Sequence, residues 1–170
     1  MSDAAHTSSG TPPVTPPGTP PVIGVLGGSG VYDIDGLEER RWRRVWSPFG
    51  APSDEIMEGV LDGQKVLFLP RHGRGHRLPP SALNYRANID ALKRAGATEI
   101  LSLSAVGSLR EDLPPGRFVI VDQFIDRTFA REKSFFGPGC VAHVALGDPV
   151  CPRLGDALEA AAEAAGVETT

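Results

Sequence analysis

Residues 70–76 read Pro70-Arg71-His72-Gly73-Arg74-Gly75-His76, two arginines and two histidines in a stretch broken twice by glycine. A guanidinium is a permanent, forked donor matched to phosphate or carboxylate. Histidine adds a second donor near neutral pH, and glycine lets the backbone approach a ligand closely. The chemistry these residue types share is capture of an anion. Two further segments carry matching donors. Gly27-Gly28-Ser29-Gly30 follows the apolar run 22–26 and offers backbone N–H groups with the Ser29 hydroxyl. It reads either as an anion-binding nest or as a tight structural turn. It has neither the Lys-Ser/Thr ending of a Walker loop nor G-x-G-x-x-G spacing. Ser102-Leu103-Ser104-Ala105-Val106-Gly107-Ser108 leaves another apolar run in the same manner. Ligands of open α/β sheets lie beyond the carboxyl ends of the strands. Ser29, Ser104 and the Arg71-His72 loop therefore converge on one small tetrahedral anion if all three follow strands at one edge.

Other reactive residue types are weaker signals. Asp122 and Asp126 have the chemistry of an acid/base pair, but two carboxylates beside Arg127 also read as internal ion-pair partners. His143 lies inside the apolar run 141–146, which suits either a satisfied core histidine or an apolar substrate pocket. The spacing of Cys140 and Cys151 matches no zinc pattern, so they read as ordinary thiols in a reducing compartment. No metal-ligand motif is present, and no metal is expected.

Positioning these groups requires a sheet with helices. At 170 residues and 41% hydrophobic content, the chain can build one domain with a core. Its net charge of −4 sets up no global field toward nucleic acid or an anionic membrane, so any anion must be held by local geometry. No apolar run reaches membrane-spanning length and no signal-peptide core is visible, which reads as a soluble, cytoplasmic protein without nucleic-acid or membrane partners. Residues 1–21, rich in Pro, Thr and Gly, read as a disordered tail. Strands are expected at 22–26, 99–104 and 117–121, and a hairpin at 56–61 and 65–69 around Asp62-Gly63. Helices are expected at 84–95, ending at Gly96, and at 152–165. The alternation predicts an α/β fold: a mixed, largely parallel central β-sheet flanked by helices. Val167-Glu168-Thr169-Thr170 approaches a further strand where the chain stops, so a domain truncated at its C-terminus is expected.

Five segments standing in one order carry a family resemblance. They are Gly27-Gly28-Ser29-Gly30, Arg71-His72-Gly73-Arg74-Gly75-His76, Asn84-Tyr85-Arg86-Ala87-Asn88-Ile89, Gly107-Ser108-Leu109-Arg110-Glu111 and Asp122-Gln123-Phe124-Ile125-Asp126-Arg127-Thr128. Together they resemble the S-methyl-5′-thioadenosine phosphorylases, in the trimeric purine nucleoside phosphorylase class. The resemblance implies a nucleoside phosphorylase-like domain over 22–170, of which this is the N-terminal part. It also implies pentosyl transfer: inorganic phosphate, the co-substrate, attacks C1′ of the ribose and the purine leaves, with no cofactor. It assigns Ser29, Arg71, His72, Ser104 and the backbone of Ala105 to phosphate, and His143 to the pocket for the 5′-substituent. Ser29 and Ser104 stand where threonines are often found, and the hydroxyl is kept. A homotrimer is implied, with His143 offered to a neighbouring subunit.

Relatives run on for roughly another hundred residues, about the length of a further small domain. That part holds the family's base-binding and base-protonating aspartates, so no catalytic acid is assigned here and catalysis by this chain alone is expected to be absent or severely impaired. Preference for adenine over 6-oxopurines, including methylthioinosine, is decided there too. The alternative of a different class is a non-catalytic remnant that binds phosphate or pairs with other subunits.

Overall fold

The computed structural model describes residues 20–28 and 33–170. Nearly all of the expected tail over 1–21, and Ser29, lie outside the described residues. The chain divides into two units, one through Ser104 and one from Ala105 to Thr170.

The first unit is a five-stranded sheet in the order β2-β3-β4-β1-β5. Its strands are β1 (Ile23–Gly27), β2 (Glu38–Arg43), β3 (Ile56–Leu61), β4 (Gln64–Pro70) and β5 (Glu99–Ser102), with helix α1 (Tyr85–Ala95) between β4 and β5. β1 runs parallel to both β4 and β5, while β2-β3 and β3-β4 are antiparallel. The sheet is mixed, as expected, with its parallel strands together around β1. The hairpin forms as expected: Leu61 pairs with Gln64 across Asp62 and Gly63, whose φ values of 48° and 76° suit a type I′ turn.

Alternation along the strands builds two apolar layers. Val66 and Phe68 of β4 pack on one face with Val25, Leu37 and Met57. Leu67 and Leu69 pack on the other face with Leu26, Ile56 and the α1 residues Ala91, Leu92 and Ala95. Because both faces are covered, β4 reads as an almost continuous apolar run. The helix is delimited locally. The Asn84 side chain accepts the Ala87 N–H at 3.0 Å. At the other end, the Ala97 N–H reaches the Leu92 carbonyl at 3.0 Å beyond Gly96.

Strand β2 has no counterpart in the sequence-based expectations, because Glu-Glu-Arg-Arg-Trp-Arg shows no apolar alternation. It is an edge strand held by charge. Arg41 and Arg43 both bond the buried Glu58 of β3, at 2.6 and 2.8 Å. Burial raises the Glu58 pKa, but the hydrogen bonds and charges of Arg43 and Arg41 outweigh it and hold the carboxyl below its ordinary range.

The second unit contains α2 (Pro152–Ala164) but no buried residue. The strand expected at 117–121 does not form. Phe118 makes a single parallel bridge with Thr169, while Phe118, Val119 and Val121 stay exposed. An apolar run becomes a buried strand only when neighbours pair with it and layers cover it. Apart from the local turn bond of the Arg117 N–H to the Pro114 carbonyl, the backbone bonds of 117–121 go to the 168–170 segment, including Ile120 N–H to the Thr170 carbonyl at 2.8 Å. The extended character expected at 167–170 is thus used in that bridge. The strand expected at 99–104 ends at Ser102 and is half-buried rather than buried.

Candidate anion-binding site

The register of the three parallel strands levels their carboxyl ends. Gly27 lies beside Pro70, and Leu26 beside Ser102. The ladders continue one step further: the Arg71 N–H bonds the Gly27 carbonyl at 2.8 Å, and the Leu103 N–H bonds the Leu26 carbonyl at 2.9 Å. The loops after β4 and β5 therefore leave the sheet on either side of the end of β1. From one of them, Nη1 of Arg71 donates to the Ser104 hydroxyl and stands 3.5 Å from the Leu103 carbonyl. A hydroxyl that accepts one hydrogen bond keeps its own hydrogen to donate.

His72 is buried beside this guanidinium. Its Nδ1 lies 2.9 Å from the Leu78 carbonyl. A carbonyl can only accept, so Nδ1 carries a proton. Its Nε2 lies 3.3 Å from Nε of Arg71. The His76 ring stacks on His72 with centroids 4.4 Å apart, which fixes the imidazole plane. Arg71, His72 and Ser104 thus form one cluster at the carboxyl ends of the strands.

The loop's second arginine points elsewhere. Its guanidinium meets Asp54 at 2.8 Å and Glu55 at 3.1 Å, and lies 3.9 Å from the centroid of the Trp42 ring. The Arg74 N–H also donates to Asp54 Oδ2 at 2.6 Å. Burial tends to raise the Asp54 pKa, but the side-chain and backbone hydrogen bonds of Arg74 prevail and hold it low. An open groove of about 580 Å³ lies on this side, lined by Arg44, Trp46, Ser47, Asp54, Arg74 and Arg77. Arg71, His72 and Ser104 are not among its walls. The sequence treats the two arginines alike; a carboxylate 20 residues upstream separates them. The signal that could have found it is the acidic pair Asp54-Glu55 just before the hairpin.

The remaining expected site residues belong to the second unit. Ala105 opens it and is exposed. His143 is exposed, with Val141 and Val144 beside it, so the core reading of this histidine is corrected: the unit has no core to receive it. Asp126 does pair internally, with Lys133 at 3.3 Å rather than with the adjacent arginine. The Thr128 hydroxyl and amide, with Lys133 adding to them, lower its pKa to about 2. A carboxyl so held is ionised at neutral pH and donates no proton. Asp122 is exposed. Both cysteines are free and exposed. Among the described residues, no group of three or more His, Cys, Asp or Glu is placed to hold a metal. None of the helices there is long and apolar enough to cross a membrane.

Comparison with known proteins matches residues 22–170 to the phosphorylase superfamily. An S-methyl-5′-thioadenosine phosphorylase of Rhodospirillum rubrum is 73% identical over 139 residues, covering 82% of this chain and 47% of the relative. One of Cereibacter sphaeroides is 63% identical over 146 residues, covering 86% of this chain and 50% of the relative. The chain thus spans about half the length of the curated relatives it matches. A crystal structure of a methylthioadenosine phosphorylase from an antarctic soil metagenomic library superposes with a TM-score of 0.83 at 48% identity, covering 88% of this chain and 53% of that one. The methylthioadenosine phosphorylase of Schistosoma mansoni in complex with adenine gives a TM-score of 0.78 at 44% identity, covering 84% of this chain and 53% of that one.

Proposed function

This chain belongs to the phosphorylase superfamily, and we propose that it provides the phosphate-holding part of an S-methyl-5′-thioadenosine phosphorylase. The observation that carries the reading is the bond from Arg71 to Ser104 at the joint carboxyl ends of β4, β1 and β5. Relatives bearing that name at 73% and 63% identity support the choice of substrate.

In the proposed reaction inorganic phosphate is the co-substrate and no cofactor takes part. A phosphate oxygen attacks C1′ as the C1′–N bond to the purine breaks, giving adenine and 5-methylthioribose 1-phosphate. The bond electrons pass to the base, which takes up a proton. The sugar develops oxocarbenium character, so an anion held against it stabilises the transition state and is already in place to attack. Arg71 supplies the forked cationic donor, with His72 beside it. Ser104 and Ser29 supply hydroxyls, and Ala105 its backbone N–H. His143 contributes to the pocket for the 5′-methylthio group, offered to a neighbouring subunit of a homotrimer in the cytoplasm. Residues 1–21 act as a tail and 22–170 as the phosphorylase segment.

A chimera tests this directly. Residues of this chain replace the matching 139-residue segment of the Rhodospirillum rubrum relative, and adenine release from methylthioadenosine is followed by chromatography. Phosphate-dependent release is expected. A folded chimera that releases no adenine, or releases it equally without phosphate, would overturn the proposal.

A further inference from the structure

We propose that Asp54 is a positioning residue for the anion site, acting through Arg74 to fix the 71–78 loop so that Arg71 and His72 stand at the strand ends. This inference rests on the phosphate reading of that site. Asp54 receives three donors from a single residue: the Arg74 N–H at 2.6 Å, Nη2 at 2.8 Å and Nε at 3.2 Å. Its side chain is only 7% exposed. An exposed ion pair contributes little to stability, but this one ties the loop to the 53–55 segment, whereas the backbone bonds from Gly73 to Pro70, His76 to Gly73 and Leu78 to His72 stay within it. Gly73 and Gly75 sit at φ 72° and 75°, and neither belongs to a strand. Glycine has the widest conformational range of any residue, so the bonds from Asp54 select among the orientations open to this segment.

The clamp is itself anchored in the core. Asn88 on α1 is fully buried; it accepts the Ser53 N–H at 2.7 Å and donates to the Ser53 hydroxyl at 2.9 Å. Asn84, which caps the same helix, donates to the Phe49 carbonyl at 2.7 Å. Arg77 then returns from the loop to the Ser53 carbonyl. The packing leaves no slack: a Cβ on Gly73 would stand 2.9 Å from Nε of Arg77 and 3.1 Å from the Ser53 carbonyl oxygen. A continuous series of contacts therefore leads from α1 through Ser53-Asp54 to Arg74, and the backbone of 71–74 carries it to Arg71.

The test measures equilibrium binding of inorganic phosphate to the full chain by calorimetry, well below the unfolding transition, where a loss of stability alone leaves the dissociation constant unchanged. Asp54→Asn and Arg74→Lys are each expected to weaken phosphate binding about tenfold, comparable with the loss of one charge-assisted contact. In an Arg71→Ala background, Asp54→Asn is expected to weaken binding by a smaller factor than in the native chain, because part of its effect passes through Arg71. Should Asp54→Asn fail to fold, Arg74→Lys, which keeps the charge but loses the fork, decides the question. Binding by the native chain that Arg71→Ala weakens about tenfold or more but folded Asp54→Asn or Arg74→Lys leaves intact would overturn the positioning role alone. A native chain that binds no phosphate would overturn the phosphate reading itself, and this inference with it.

Discussion

The two units of this chain contain apolar residues of the same kinds and put them to different use. In the first, Ile56, Leu67, Leu69 and Leu92 are almost fully buried between the sheet and α1. In the second, Ile125, Phe129, Val141 and Val144 are exposed, and hydrogen bonds such as Gln123 to the Gly147 carbonyl at 2.8 Å join extended segments. Composition does not separate the units; long-range strand pairing does. Parallel pairing of β1 with β4 and β5 creates two faces to cover and, at its carboxyl edge, a place where the loops after β4 and β5 meet beside the end of β1. Where that pairing is missing, hydrophobic side chains gain little from water exclusion.

The largest expected contrast is in packing. Leu92→Ala in the first unit removes a fully buried side chain and should cost about 2–5 kcal/mol in chemical denaturation. Leu158→Ala in α2, where the leucine is already 38% exposed, should cost below about 1 kcal/mol. Equal losses would erase the distinction. Hydrogen exchange probes the same contrast without mutation. Amides of β4 should be strongly protected and those of 117–147 should exchange rapidly, and comparable protection in both would contradict the account.

Function gives the next contrast. Arg71→Ala should weaken phosphate binding about tenfold or more, since a charge-assisted contact contributes ~1.5–3 kcal/mol. Ser104→Ala should act in the same direction by a smaller factor. Arg127→Ala in the second unit should leave phosphate affinity unchanged, and an equal effect there would detach binding from the strand ends.

The smallest contrast is electrostatic. Glu58 and Asp126 both have lowered pKa values, Asp126 at about 2. A carboxyl with a lower pKa in the folded state than in the unfolded chain adds stability that is complete above the unfolded value and lost as pH falls through the folded one. For the buried Glu58, whose ordinary value is 4.5, stability should therefore decline below about pH 5, and Glu58→Gln should flatten that acid limb. Asp126 caps a local turn at the surface, so Asp126→Asn should leave the acid limb of global unfolding in place. Melting curves from pH 3 to 7 read both outcomes.

What could be read from the sequence was what is settled locally. Asp62-Gly63 needs only its own φ angles to make a hairpin, and Asn84 and Gly96 delimit α1 within a turn of themselves. The recurrence of small, hydroxylated loops after strands pointed to one edge, and the register levels those ends as that reading required. Three things depended on distant partners and were not legible. Strand β2 is held by Glu58, 15 and 17 residues from its arginines. The run 117–121 looks like a core strand until one asks what covers it. Arg71 and Arg74 carry the same side chain in the same loop, and Asp54, with Glu55 and the Trp42 ring, holds the second away from Arg71.

In the proposed function, the carboxyl ends of β1, β4 and β5 form one phosphate site. The most direct test is an amide chemical-shift titration of the isotopically labelled chain with inorganic phosphate. The account predicts saturable shifts concentrated at Gly28, Arg71, His72 and Ser104, with 123–147 unmoved. Saturable shifts lying elsewhere, or none at those four residues at saturating phosphate, would contradict it.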